Sequence, residues 1–192
     1  HMLGVLAYQS GKHDLAVTLI SRALELQPDL VEAYNNLGAP QEALGNFRAA
    51  EASYRKAISI HPTYVEAHYN LGNVLRELGK LDDAVTSYQK ALSLNPEYAE
   101  AHNNLGIAFQ ELGHPADALA CYDKAIAILP KYAEAHYNTG NVLKELERLE
   151  DAVACYQTAL QFQPDHLSAH NNLGNTYIAL HDRSNAGSTL KE

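Results

Sequence analysis

Tryptophan is absent from this chain, cysteine occurs twice and methionine once among 192 residues. Proline is scarce as well: outside one periodic set of five, only Pro40 and Pro115 remain. With 46% of residues apolar and 19% charged, collagen-like, low-complexity and disordered compositions are excluded and a folded chain is expected. No apolar run approaches the roughly 18 residues that a membrane span needs, and the apolar stretch from Met2 to Tyr8 lacks the basic flank of a secretory signal. The expected location is therefore cytoplasmic. Basic residues are few, 14 against 23 acidic ones, and the resulting formal charge of −9 opposes attraction to polyanions. Nucleic acid and membrane are not expected as partners; a neutral or basic polypeptide is.

What the sequence has in abundance is a period of 34. Pro28, Pro62, Pro96, Pro130 and Pro164 keep that interval, as do Gly4, Gly38, Gly72, Gly106, Gly140 and Gly174. Two alanine columns follow it too, one from Ala16 to Ala186 and one from Ala23 to Ala159. Counting Val31, Val65, Ala99, Ala133 and Leu167 as first positions puts the small residues at positions 8, 20 and 27 and proline at 32. The chain reads as one array: a partial first repeat over 1–30, full repeats over 31–64, 65–98, 99–132 and 133–166, and a partial sixth over 167–192. The truncated first and last repeats suggest a piece of a longer protein, or ends that associate with another copy.

Each unit reads as a helix hairpin. In Val65 to Tyr98, His68, Leu71, Gly72 and Leu75 have i, i+3, i+4, i+7 spacing, and Gly79 caps the first helix. Leu81, Ala84, Val85, Tyr88, Ala91 and Leu92 form the apolar face of the second, which Asp82 and Asp83 open and Pro96 closes. Small residues let helices approach closely, and the column Tyr54, Tyr88, Tyr122, Tyr156 at position 24 fills the larger gaps. A single hairpin cannot bury both its faces, so units must stack.

Ala67 to Asn73, followed by Ala84, Tyr88, Ala91 and Pro96, resembles the tetratricopeptide repeat (TPR) pattern, and the likeness extends over almost the whole chain. It implies an all-α, right-handed superhelical solenoid of antiparallel helix hairpins whose first helices line a concave groove. At 100° per residue, positions 4, 7, 8 and 11 form the buried stripe, and positions 2, 5, 6, 9, 12 and 13 form the open face. Position 6 is asparagine in every complete first helix: Asn36, Asn70, Asn104, Asn138 and Asn172. Position 9 adds Asn73, Asn141 and Asn175, interrupted by Ala39 and Ile107. Position 5 alternates as Asn35, Tyr69, Asn103, Tyr137 and Asn171. Asparagine is a poor helix former, whereas its amide offers the donors and acceptor that a peptide backbone matches. These asparagines with Tyr69 and Tyr137 are the expected peptide-binding residues, although the position 6 column equally suits contacts between repeats.

The resemblance discounts one partner class. TPR modules that clamp the carboxylate tails of heat-shock chaperones use lysine and arginine at positions 2, 5 and 6, where this chain has glutamate, asparagine or tyrosine. Glu32, Glu66, Glu100 and Glu134, with Glu77, Glu111 and Glu145, leave Arg76 and Lys144 as the cations of the open face. The repeated Asn-Leu-Gly with Ala-x-x-x-Tyr is similar to the TPR arm of O-linked N-acetylglucosamine transferases, which implies substrate recognition for a larger enzyme as the alternative to a free-standing scaffold.

No catalytic, metal or cofactor site is expected. His68, His102, His136 and His170 form the position 4 column, one per repeat, too far apart to share an ion with ligands at about 2.0–2.3 Å. Cys121 and Cys155, also 34 apart, read as free thiols, in keeping with a reducing compartment. No phosphate-loop, dinucleotide, nucleophile-elbow or zincin string occurs. Pro115 falls at a helix start and is accommodated. Pro40 falls mid-helix, where the pattern predicts a kink or break near Gly38 to Pro40 and a weakly coupled first repeat. After His181, a short second helix is expected over 182–192.

Overall fold

The computed structural model describes the backbone of residues 1–189 and the side chains of residues 1–183. Among these there are eleven α-helices and no strand, the all-α class that the pattern implies. The chain divides into two compact units, His1–Pro96 and Glu97–Glu192, and the division falls at the end of the third repeat.

Unit one holds α1 (Met2–Gln9), α2 (His13–Leu26), α3 (Val31–Ala43), α4 (Phe47–Ile60), α5 (Val65–Glu77) and α6 (Leu81–Leu94). Unit two holds α7 (Ala99–Glu111), α8 (Pro115–Ile128), α9 (Ala133–Glu145), α10 (Leu149–Phe162) and α11 (Leu167–Thr189). In both, first and second helices pair as hairpins, and within a unit the second helix packs on the first helix of the next repeat, α2 on α3, α4 on α5, α8 on α9 and α10 on α11. First helices also touch one another, α3 with α5 in unit one, and α9 with both α7 and α11 in unit two.

The hairpins close on one repeated contact. Tyr54, Tyr88, Tyr122 and Tyr156 are buried almost completely, each with its ring against the glycine at position 8 of its own repeat. A β-carbon on Gly38, Gly72, Gly106 or Gly140 would lie 2.2, 2.6, 2.5 or 2.6 Å from the nearest ring atom. Only glycine lets the helices approach that far.

First helices are buried over a wider arc than one apolar stripe. Ala33, Ala67, Ala101, Ala135 and Ala169 at position 3 are fully buried, and so is position 10 with Pro40, Val74, Ala108, Val142 and Thr176. These columns stand at about 300° and 280° on the same helical wheel. Within each unit they meet the preceding repeat: Ala33 packs with Ile20 and Leu24, and Val142 with Ala118 and Tyr122, while the position 8 glycines face the hairpin mate.

The turn after each first helix needs a left-handed residue at position 15. Gly11, Gly45, Gly79 and Gly113 supply it with φ between +70° and +77°. Glu147 takes the same place with φ 58°, and the bonds Glu147 N–H to Lys144 O and Arg148 N–H to Leu143 O keep the Schellman pattern. A non-glycine residue held there costs about 1–2 kcal/mol, so tertiary packing enforces this turn.

Three expectations are corrected. The α3 helix is not broken at Pro40: it runs 13 residues, like its counterpart α5. The proline ring occupies the buried position 10 column, and burial there offsets the lost amide bond. Nor is the first repeat loosely attached, since Ile20 and Leu24 of α2 share a core cluster with Ala33 and Leu37 of α3. Beyond His181 no new helix starts, because α11 continues to Thr189. Position 15 of this repeat is His181, and it keeps helical backbone where glycine, or Glu147, turns the chain in earlier repeats. The remainder of the expected segment, 190–192, lies outside the described residues. Pro115 opens α8, as expected.

The glycine contact yields a paired prediction. Gly106→Ala should lower the melting temperature, because overpacking against the immobile Tyr122 ring costs about 1–3 kcal/mol. Gly174→Ala meets nothing within 4 Å and should raise it, by up to about 1 kcal/mol of helix propensity. Thermal melts followed by circular dichroism check both signs.

Candidate functional site

The open face of the first helices is built by relays from the buried tyrosines. Each position 24 hydroxyl is carried past its glycine to this face and donates to a polar side chain there. In repeats 3 and 5 the acceptor is position 9: Tyr88 to Asn73 Oδ1 at 2.8 Å and Tyr156 to Asn141 Oδ1 at 2.9 Å. In repeats 2 and 4 position 9 is Ala39 or Ile107, which cannot accept, and position 12 takes over. Tyr122 donates to Gln110 Oε1 at 3.2 Å, and Tyr54 donates to Glu42.

Three of the position 6 asparagines, Asn70, Asn138 and Asn172, are tied to the preceding repeat, whereas Asn104 accepts from Asn103 of its own repeat. Asn70 Nδ2 donates to Asn35 Oδ1 at 3.1 Å and Asn138 Nδ2 to Asn103 Oδ1 at 3.0 Å. Asn172 Nδ2 donates to Asn141 Oδ1 at 2.8 Å and to the Tyr137 hydroxyl at 3.3 Å. Part of each of these three amides therefore holds repeats together. Asn36, Asn70, Asn104 and Asn172 are half-buried, while Asn138, expected on the open face, is buried. Asn73 and Asn141 are half-buried and Asn175 is exposed. Tyr69 and Tyr137 are half-buried and lean on Tyr88 and Tyr156, with ring centroids 6.1 and 6.0 Å apart.

Electrostatically the face is acidic. The position 2 glutamates and Glu77, Glu111 and Glu145 are exposed. Glu42 differs from them: it is half-buried, and burial pushes its carboxyl above the ordinary carboxylate value, the Tyr54 hydrogen bond pulls it down, and the charge of Glu77 raises it further. Burial and the Glu42 charge raise the Tyr54 hydroxyl as well. Burial pushes the Cys121 thiol up to about 11 and raises that of Cys155, so neither is an activated nucleophile. The histidine column packs at the repeat junctions, where His68, His136 and His170 place Nε2 at 2.9, 3.0 and 2.8 Å from the carbonyls of Pro62, Pro130 and Pro164. Among the described residues, no three histidine, cysteine or acidic side chains converge as metal ligands, and no helix is long and apolar enough to cross a membrane.

Models described as tetratricopeptide repeat or TPR repeat match residues 1–65, 53–86, 72–113, 99–132, 121–154 and 140–180. The chain belongs to the tetratricopeptide repeat family. Its fold is that of several solved TPR proteins. MamA is 26% identical over 86% of this chain and 96% of its own, with a TM-score of 0.78. YrrB, described as a TPR protein with an unusual peptide-binding site, is 26% identical over 88% of this chain and 87% of its own, TM-score 0.72. PilF of Pseudomonas aeruginosa shares the fold at 21% identity, over 97% of this chain and 85% of its own, TM-score 0.84. No curated protein matches the chain significantly.

Sequence reasoning missed Glu42 and Gln110 as partners of the TPR tyrosines. The signal was present: the alternation seen at positions 5 and 9 extends to position 12, where Glu42 and Gln110 alternate with Arg76 and Lys144. The repeats thus vary with a superperiod of 68.

Glu42 gives a pH prediction. Its folded-state value is raised, so the stability it contributes is present below the ordinary value of 4.5 and lost as pH rises through the raised value. Glu42→Gln keeps an acceptor for Tyr54, as Gln110 does for Tyr122, without the buried charge. At pH 7 it should melt higher than the unsubstituted chain. The gain should shrink on acidification through the carboxylate range, as thermal melts at a series of pH values will read.

Proposed function

We propose that this chain is a non-catalytic protein-interaction scaffold whose open faces bind extended segments of a partner polypeptide, neutral or basic in character. The observation that carries this reading is the bonded amide array, Asn70 on Asn35, Asn138 on Asn103 and Asn172 on Asn141. Each inter-repeat bond fixes a side chain in one rotamer and leaves further amide donor and acceptor capacity for a peptide backbone. Fixed groups lose little entropy on binding, which favours affinity. Tyr69 and Tyr137 beside them add rigid amphipathic surface of the kind that recognises side chains. The peptide-binding site described for YrrB on the same fold is consistent with this use.

The test is binding of an array of extended peptides of about nine residues, roughly 30 Å when stretched. Asn70→Ala, Asn104→Ala and Asn138→Ala combined should weaken captured peptides by at least about tenfold, since each hydrogen bond is worth about 0.5–1.5 kcal/mol. Unchanged capture by a folded triple variant would remove these asparagines from the site.

Self-association is a second reading, favoured by exposed Met2, Leu3 and Leu6 on α1 and exposed Tyr177 and Ile178 on α11. Gly174 on α11 faces open space where earlier repeats hold a tyrosine. Light scattering across a wide concentration range should then show a mass that rises with concentration; a constant monomer mass rejects it.

A further inference from the structure

We propose that the cleft between α1, α3, α4 and α5 in unit one receives a single cationic side chain, a lysine ammonium or arginine guanidinium, carried by the bound segment. This rests on the peptide-binding reading and adds the chemistry and place of one contact. The cleft has a volume of about 390 Å³ and is lined by Tyr8, Ala39, Glu42, Phe47, Asn73 and Glu77. Two carboxylates thus meet two aromatic rings, surroundings that suit a partly desolvated cation.

The repeat supplies its own control. Two repeats on, the residues equivalent to Glu42 and Glu77 are Gln110 and Glu145. There the tyrosine relay is completed internally: Tyr122 donates to Gln110 Oε1, and Gln110 Nε2 donates onward to Glu145 Oε1 at 2.7 Å. In unit one Tyr54 donates to Glu42 in the same way, but a carboxylate has no N–H to pass to Glu77. The relay stops between two like charges, and Glu77 acts on Glu42 to disfavour its ionised form. A cationic N–H donor from a ligand completes the chain of bonds that an amide completes in unit two.

Arg76 does not fill this role. It is half-buried and reaches Glu77 Oε1 at 3.3 Å, a contact that engages one oxygen of that carboxylate. Shape agrees with charge. Ala39 leaves the cleft open where the equivalent Ile107 is a bulkier, half-buried side chain. The alanine and the glutamate occur together in repeat 2, and the isoleucine and the glutamine together in repeat 4.

The experiment selects peptides of about nine residues on the full chain from a random displayed library, then measures the winners by fluorescence anisotropy. One lysine or arginine position should be enriched. Its replacement by norleucine should weaken binding roughly tenfold on the unsubstituted chain, in line with a partly desolvated charge pair. The same replacement should have little effect on Glu42→Gln/Glu77→Gln. Ala39→Ile, which copies repeat 4 and leaves both charges in place, should abolish the preference by a second route. Peptides enriched without a fixed basic position, or a norleucine penalty equal in chain and variants, would overturn the cleft while leaving peptide binding standing. Failure to enrich any peptide removes both readings.

Discussion

The closure of each hairpin over a glycine is the constraint on which the rest of this structure depends. A tyrosine ring seated within 2.2–2.6 Å of where a β-carbon would be leaves no tolerance at position 8, and the same ring fills the space between helices. The contact also carries a polar obligation. A phenol buried to this extent must hydrogen-bond its hydroxyl or lose on the order of 1–3 kcal/mol. Because the ring spans the hairpin, its hydroxyl emerges at the open face of the first helix. The fold's main packing element therefore dictates that a polar acceptor stand at position 9 or 12, inside the surface available to a partner.

That obligation explains the composition of the open face better than helix propensity does. Asn73 and Asn141 are poor helix formers retained as acceptors for Tyr88 and Tyr156. When position 9 becomes alanine or isoleucine, the duty moves one turn along to Glu42 or Gln110. The two solutions alternate along the chain and generate a face that changes character from one repeat to the next. Position 5 follows the same alternation: asparagine at Asn35 and Asn103 accepts from Asn70 and Asn138, and tyrosine at Tyr137 accepts from Asn172.

Much of this was legible in the sequence, and the part that was not has a physical reason. The 34-residue period gave the hairpins, the buried stripe at positions 4, 7, 8 and 11, and the small-residue columns. The fully buried alanines at position 3 were overlooked because a wheel drawn for one neighbour predicts one stripe, whereas a stacked first helix has neighbours on two sides. Pro40 departs from its local cost because burial counts for more there: the ring sits in a core column that takes apolar volume. His181 departs in the opposite sense, since the hairpin pattern foretold a turn that its helical backbone does not make. The asparagines were identified by type and face. Their bonds to one another were beyond the reach of a wheel, which shows directions within one helix and no distances between two.

Glu42 shows how a repeat protein can be read against itself. Gln110 demonstrates that an uncharged side chain serves the tyrosine at this position, and it completes a bond to Glu145 that Glu42 cannot make to Glu77. A half-buried carboxylate beside a second one is the less stable of the two solutions, since burial and like charge both act against its ionised form. Destabilising features of this kind are expected where activity, and not stability, dictates the residue. The remaining copies of the hairpin are internal references with the same backbone, and against them the departure at Glu42 stands with an open cleft, an aromatic lining and an incomplete relay. A ligand cation resolves all three with one contact, which is why the cleft in unit one, where Glu42 stands in place of a bonded glutamine, is where the charge of a bound segment is read.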